Sequence, residues 1–429
     1  MATNNASVRS TSAIRRFTNC FNGRLIYAIT LIALSQVNFG FDQGVFTNTQ
    51  AMTPFERKFG IWNSTRDTWV IEPYFLSLLN SLNYIGFAFG IVTGSTISAR
   101  FGRRAVMFAM CGWALVGAIL LVTAQHREQI LAGRVVAYVY IGMELAVVPV
   151  YQSELVPSRV RGFVVGSYQS GLLFGSLLAS VICRGTSTID DDNAWRIPMG
   201  LLFIIPTIVG CGAFYLPESP RWLLSKGRDA DALASLTVLR QGRYSQEEIR
   251  HELIEIQDTI EALAVKGRWI ELFQGTNLKR TLIVVGVNIF LQITGSNFSA
   301  VYGAVFYKSL GTVNPFSMSA AGSAINIFMV LIAQLCADTV GRKPLMFVGV
   351  LVQTIGLFCV GGLGTMADQS VAVRNGIVAA FVLFGAGFAL GWAPLSHAIA
   401  AEVPTLRLRD KVSLLSDLKQ RVLPTNLVR

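Results

Sequence analysis

Residues 133–162 read GRVVAYVYIGMELAVVPVYQSELVPSRVRG, and this stretch decides the fold. Its apolar run matches the length of a bilayer-crossing helix, which needs about 20 residues. Arg134 lies near its start and Glu144 inside it. A charge at the centre of a membrane helix costs about 2.5–3.5 kcal/mol on insertion scales, so Arg134 needs a partner and usually has a job. The run ends in Tyr151, Glu154, Pro157, Arg159, Arg161 and Gly162. Basic residues just outside an apolar span mark the cytoplasmic side.

The rest of the chain repeats this pattern. Its 429 residues are 52% hydrophobic and 14% charged, with a mean hydropathy of +0.51. A soluble domain carries about 25% charged residues, so the composition implies an all-α polytopic membrane protein. The net charge of +11 sits in short clusters between apolar runs. That is the positive-inside pattern, and it excludes nucleic acid as a partner. The cysteines are scattered, without a CxxC pair or metal spacing, so no metal site and no cofactor is expected.

Ten runs are long enough to span: 25–44, 74–97, 105–124, 130–151, 163–183, 197–216, 281–307, 316–337, 345–364 and 376–400. The connections bearing Arg100/Arg103/Arg104, Arg159/Arg161 and Arg342/Lys343 fall on one side with the basic N-terminus, which places that terminus in the cytoplasm. Asn63-Ser64-Thr65 is a glycosylation sequon on the opposite side. The chain divides into a tail (1–23), a six-helix bundle (24–216), a helical cytoplasmic loop (217–280), a four-helix second bundle (281–405) and a polar tail (406–429). In the loop, Ser245-Gln246-Glu247-Glu248 reads as a capping box, followed by Ile249, Leu253, Ile256, Ile260 and Leu263 on one helix face. Gly102-Arg103-Arg104 after the second run and Asp338…Gly341-Arg342-Lys343 after the eighth read as copies in two related halves.

With Pro217-Glu218-Ser219-Pro220-Arg221-Trp222, Gln292-Ile293-Thr294-Gly295-Ser296-Asn297, Gly391-Trp392-Ala393-Pro394, Glu402-Val403-Pro404 and Arg407-Leu408-Arg409, the chain from about 25 to 411 resembles the sugar porter family of the major facilitator superfamily, in its fungal form. The resemblance implies two six-helix bundles rocking about a central sugar site, whereas only about ten of the family's twelve helices are legible here. After Lys411 the sequence VSLLSDLKQRVLPTNLVR is polar and too short to span, so the chain reads as truncated at its C-terminus.

The resemblance further implies roles. Asp42 and Arg134 form the proton-coupling pair: arginine stays charged while a carboxylate can exchange its charge for a proton. Gln169, Gln292, Asn297 and Asn326 bind substrate, and His397 stands at the same site, with three readings: a hydrogen bond to substrate, altered specificity, or a side chain facing water. Arg103, Arg104, Glu154, Arg161, Glu218, Arg221, Asp338, Arg342 and Glu402 form a cytoplasmic gate, with Arg103 and Arg104 on Glu154 and Glu218, and Arg342 on Glu402, when the inside is closed. Ala99 stands where the family has an acid, Leu291 replaces the first of a glutamine pair, and His397 replaces a tryptophan. Glu144 has two readings, a substrate-linked group or a bridge to a neighbouring helix. The function implied is proton-coupled import of a sugar or polyol by alternating access, in the plasma membrane and without enzymatic activity. A non-transporting sugar sensor and an inactive truncated transporter are the alternatives. Substrate identity and oligomeric state stay open.

Overall fold

The computed structural model describes residues 21–64, 67–264, 269–336, 340–366 and 370–403. Helix α1 (Gly23–Thr49) is the first span, capped by the Asn22 side chain on the Leu25 amide. It leads into a short helix α2 (Thr53–Phe59) and a hairpin of β1 (Ile61–Asn63) and β2 (Thr68–Val70). Then come α3 (Pro73–Ser81) with α4 (Asn83–Phe101), α5 (Arg103–Val122), α6 (Arg127–Leu155), α7 (Ser158–Thr186), and α8 (Asn193–Gly200) with α9 (Ile204–Ala213). The connecting segment holds α10 (Pro220–Ser225), α11 (Asp229–Arg240) and α12 (Gln246–Ala264). The second half holds α13 (Gly275–Ile293) with α14 (Ser296–Leu310), α15 (Pro315–Cys336), α16 (Arg342–Gly364), and α17 (Val371–Leu390) with α18 (Trp392–Glu402). Among the described residues, ten helices or helix pairs are long and apolar enough to cross a membrane.

Three departures from the sequence expectation have local causes. The β1–β2 hairpin adds a small antiparallel sheet, where Trp62 faces Trp69 with ring centroids 5.5 Å apart. Cross-strand aromatic pairs of this kind stabilise short strands. The seventh span is broken between α13 and α14 at Gly295, whose φ of +77° suits glycine. The tenth is broken at Gly391, between α17 and α18. Apolarity alone registers neither break.

Small residues set the spacing of the first half, since helices in lipid associate by close backbone packing. A Cβ on Gly40 of α1 would run into the carbonyl oxygen of Leu172 on α7, and one on Gly175 of α7 into that of Val37. The α4–α6 crossing repeats the device, with Gly86 against the Val135 carbonyl.

The connecting segment is fastened to the first half. The expected capping box forms: the Ser245 amide donates to Glu248 Oε2 (2.8 Å) and the Glu248 amide to Ser245 Oγ (3.2 Å). Leu253, Ile256 and Ile260 of α12 pack on Trp222, Leu223, Leu224 and Ala232. Arg240, 1% exposed, grips both oxygens of Glu252 (3.0 and 2.8 Å) and donates to the Leu155 carbonyl at the end of α6 (2.9 Å). The Asn22 side chain donates to the carbonyls of Val238 and Gln241. The ends of the spans on this side form the loop face, and the opposite ends form the hairpin face.

Candidate functional site

A cavity of about 320 Å³ lies between the halves. Its polar residues recur at helical spacing, so each helix turns one stripe inward. From α1 come Gln43, Thr47 and Asn48, and from α7 Gln169, Ser176 and Ser180. Gln292 at the end of α13 and Asn297 at the start of α14 meet across the Gly295 break, the asparagine amide donating to Gln292 Oε1. The α15 stripe is Ser319, Ser323 and Asn326. Phe384 and Phe388 of α17 add flat apolar surface, and Ser396 Oγ, without a partner among the described residues, also lines the wall. The structure therefore gathers Gln169, Gln292, Asn297 and Asn326. The His397 side chain lies outside the described residues. Sequence reading passed over Gln43, Thr47, Asn48, Ser319 and Ser323. The 43/47 and 319/323/326 spacings were the available signal, because such stripes make little sense facing lipid.

Behind one wall of this cavity sits the buried ion pair. Asp42 of α1 and Arg134 of α6 are each 2% exposed. Arg134 Nη1 donates to Asp42 Oδ1 (3.0 Å), and the Tyr140 hydroxyl donates to Asp42 Oδ2 (3.0 Å). The guanidinium stands over the rings of Phe46 (3.7 Å) and Tyr138 (4.6 Å). Each ring lies one turn from its charged neighbour, Asp42–Phe46 and Arg134–Tyr138, so two helices supply charges and aromatic faces in register. Tyr138 also lines the cavity, leaving one ring between the cavity and the cation.

The polar cluster at the loop face departs from the expected pairing. Arg103 is bidentate on Glu154 (2.9 and 3.0 Å). Arg104 does not hold Glu218 with its side chain. Its guanidinium instead donates to the carbonyls of Ala213 (2.9 Å) and Phe214 (2.6 Å), capping the end of α9. Glu218 accepts from the backbone amides of Arg103 (2.8 Å) and Arg104 (3.2 Å), capping the start of α5. The free N–H groups and positive pole of α5 attract the carboxylate, and the free carbonyls of α9 attract the arginine. All these partners belong to the first half and the segment that follows it. Gly102 makes the approach possible: its φ is +98°, and a Cβ there would meet the Glu218 carboxylate. Gly341, with φ +93°, occupies the corresponding turn before Arg342. Arg161 is exposed and Arg221 half-buried. Asp338 and the side chain of Glu402 lie outside the described residues.

Toward the hairpin face the two halves are joined directly. Lys308 Nζ of α14 donates to Glu56 Oε2 of α2 (2.6 Å), Thr47 Oγ1 to the Ala300 carbonyl (3.1 Å), and Arg184 Nε to Ser317 Oγ (2.9 Å). Ala304 and Phe316 of the second half are buried in the core of the first. Burial pushes the Glu56 carboxyl above its ordinary range, and Lys308 only partly opposes this. The closed arrangement then binds the Glu56 proton more tightly than one that returns Glu56 to water. Glu56 thus favours closure most below the ordinary glutamate range, and that preference is lost as pH rises through the raised value. Glu56→Gln, which mimics the protonated form, is expected to keep the hairpin face closed. Lys308→Met strands a half-buried carboxylate and is expected to open it. Labelling of a cavity-lining Ser323→Cys by an impermeant thiol reagent from the hairpin side checks this. Equal acceleration by both substitutions would contradict it.

A membrane protein whose helices form two halves around a polar interfacial cavity has the architecture of a secondary transporter. The chain belongs to the sugar (and other) transporter family, whose model matches residues 28–421. It is 31% identical over 394 residues to the major facilitator-type transporter ecdD of Aspergillus rugulosus, covering 89% of this chain and 73% of that protein. It is 27% identical over 392 residues to the high glucose sensor RGT2 of Saccharomyces cerevisiae, covering 89% of this chain but 50% of RGT2. A partially occluded, inward-open structure of the xylose transporter XylE from E. coli matches with a TM-score of 0.73 at 21% identity, covering 94% of this chain and 93% of that one. XylE described as a proton:xylose symporter bound to 6-bromo-6-deoxy-D-glucose matches with a TM-score of 0.75 at 21% identity, covering 94% and 86%. These likenesses establish the major facilitator fold. The chain is thus an integral membrane protein of a transporter family rather than an enzyme.

Proposed function

We propose that this chain moves a sugar or related polyol inward across the plasma membrane by alternating access, with proton coupling and with the N-terminus and loop face in the cytoplasm. The observation that carries the reading is the buried Asp42–Arg134 pair, separated by Tyr138 from an amide-lined cavity. Gln169, Gln292, Asn297 and Asn326 match the paired donors and acceptors of sugar hydroxyls, while Phe384 and Phe388 suit the apolar face of a ring. His397 is assigned to the same site. In this state the cavity is closed toward the outside by Glu56–Lys308 and the packing around Ala304.

Alternating access needs two arrangements of the halves that exchange interface contacts. Arg103, Arg104, Glu154, Arg161, Glu218, Arg221, Asp338, Arg342 and Glu402 are assigned to the inner gate. Protonation of Asp42 would release Arg134 from its carboxylate, and the ring of Tyr138 places that change beside the substrate.

Asp42→Asn is expected to abolish sugar accumulation driven by an inward proton gradient in proteoliposomes, while exchange between equal sugar pools on both sides persists. Gradient-driven accumulation by the variant would rule out coupling through Asp42. The similarity to RGT2 favours a second reading, a sugar sensor that does not transport. Ligand-dependent signalling with no flux of labelled sugar would support that reading.

A further inference from the structure

Glu144 plays no part in the sites above. It lies on α6 among α1, α5 and α9, fully buried, and neither carboxylate oxygen has a hydrogen-bond partner among the described residues. Beside it is a cavity of about 10 Å³, at the lower bound for holding one water molecule. An ionised carboxylate in such a place, with neither a cation nor donors, is not tenable: the isolated charge costs tens of kcal/mol in a low-dielectric medium, and the group neutralises instead.

The neighbours do not supply the missing donors. Tyr140 is committed to Asp42 Oδ2 (3.0 Å). Ser35 donates to the Ile32 carbonyl (2.8 Å), and turning its hydroxyl toward Glu144 would offer a single neutral donor. Asn38 presents an unpartnered acceptor, its Oδ1, and its amide N–H groups are at most further neutral donors. From α5 the facing titratable group is Cys111, a weak donor, and α9 contributes only Ile205, Pro206 and Val209. Asp42 is the other carboxyl acting on Glu144, and Tyr140, which donates to Asp42, lines the same small cavity as Glu144. Among the described residues the pocket lining holds neutral groups and no cation, and Asn38 Oδ1 stands ready to accept, so a proton on Glu144 both neutralises the carboxyl and supplies the hydrogen that acceptor lacks.

We propose that Glu144 is a second proton-binding site, loaded in this outward-closed state together with a water molecule in the adjacent cavity, and connected to Asp42 through the Tyr140 hydroxyl. The site deepens the proton-coupled reading. Its protonation stands on the burial and the donor count, while its use in transport rests on that reading.

Infrared spectra of the full chain in lipid vesicles test it. At neutral pH a carbonyl band of a protonated carboxylic acid is expected, and it should shift when glutamate is labelled with carbon-13. Glu144→Gln should remove the band. Glu144→Met serves as a second variant, keeping side-chain length without a proton. Asp42→Asn should leave the band in place. If Asp42→Asn also keeps gradient-driven uptake, the role given to Asp42 fails while the Glu144 site stands. The proposal is overturned if no glutamate-dependent band appears in the wild-type protein, if the band survives both Glu144 variants, or if Glu144 proves ionised and paired with sodium, seen as a carboxylate band that responds to sodium at constant pH.

Discussion

Arg134→Leu is expected to be the most damaging single change in the first half. It leaves Asp42 buried with only the Tyr140 hydroxyl as partner. Removing one member of a buried ion pair costs about 3–5 kcal/mol, because the remaining charge stays desolvated. The loss also takes the guanidinium from between Phe46 and Tyr138. Thermal unfolding of purified protein in detergent should show the drop. The double variant Asp42→Asn/Arg134→Leu should regain much of it, since the uncompensated charge is gone, yet should not regain gradient-driven uptake. Equal stability of the single and double variants would mean that packing of the arginine, rather than its charge, holds the helices together.

The second large effect is expected from Gly40→Val. The added Cβ meets the backbone carbonyl of Leu172, and backbone cannot swing aside as a flexible side chain can. Overpacking typically costs about 1–3 kcal/mol where neighbours can relax, and this position is expected at or above the top of that range. Parting α1 from α7 also separates Gln43 from Gln169, which line the same cavity. Sugar binding and stability should therefore fall together in ligand-induced thermal-shift measurements. Gly112→Ala on α5 is the control: nothing lies within 4 Å of its added Cβ. It should be neutral, or stabilising by up to about 1 kcal/mol through helix propensity. A Gly40→Val protein as stable as this control would show that the crossing has room to spare.

Physics explains which features the sequence made legible. The ten spans follow from apolar length, and the Ser245–Glu248 capping box from local spacing. Asp42 and Arg134 stand out because charges in apolar runs require partners, and family resemblance paired them. The role of Glu218 was harder to read. A glutamate beside two arginines suggests side-chain ion pairs, but the uncapped amides of α5 and the carbonyls of α9 attract Glu218 and Arg104 instead. Nor does local sequence reveal Glu56–Lys308, since those residues meet only after the halves pack. Arg240 looks like an ordinary charge on a loop helix until its seat under Leu155 is seen. The breaks at Gly295 and Gly391 lie inside apolar runs, and hydropathy is blind to backbone direction.

The cap that Glu218 places on α5 also has a consequence for the order of synthesis. The carboxylate follows the Arg103 amide it serves by 115 positions. At about 5–20 residues per second, the ribosome needs on the order of ten seconds to cover that distance. During that interval the start of α5 lacks its protein acceptor, while four further membrane passes are threaded. Closure of the junction is thus deferred until the first half has been made, and Glu218 acts as a late clasp on a bundle assembled before it.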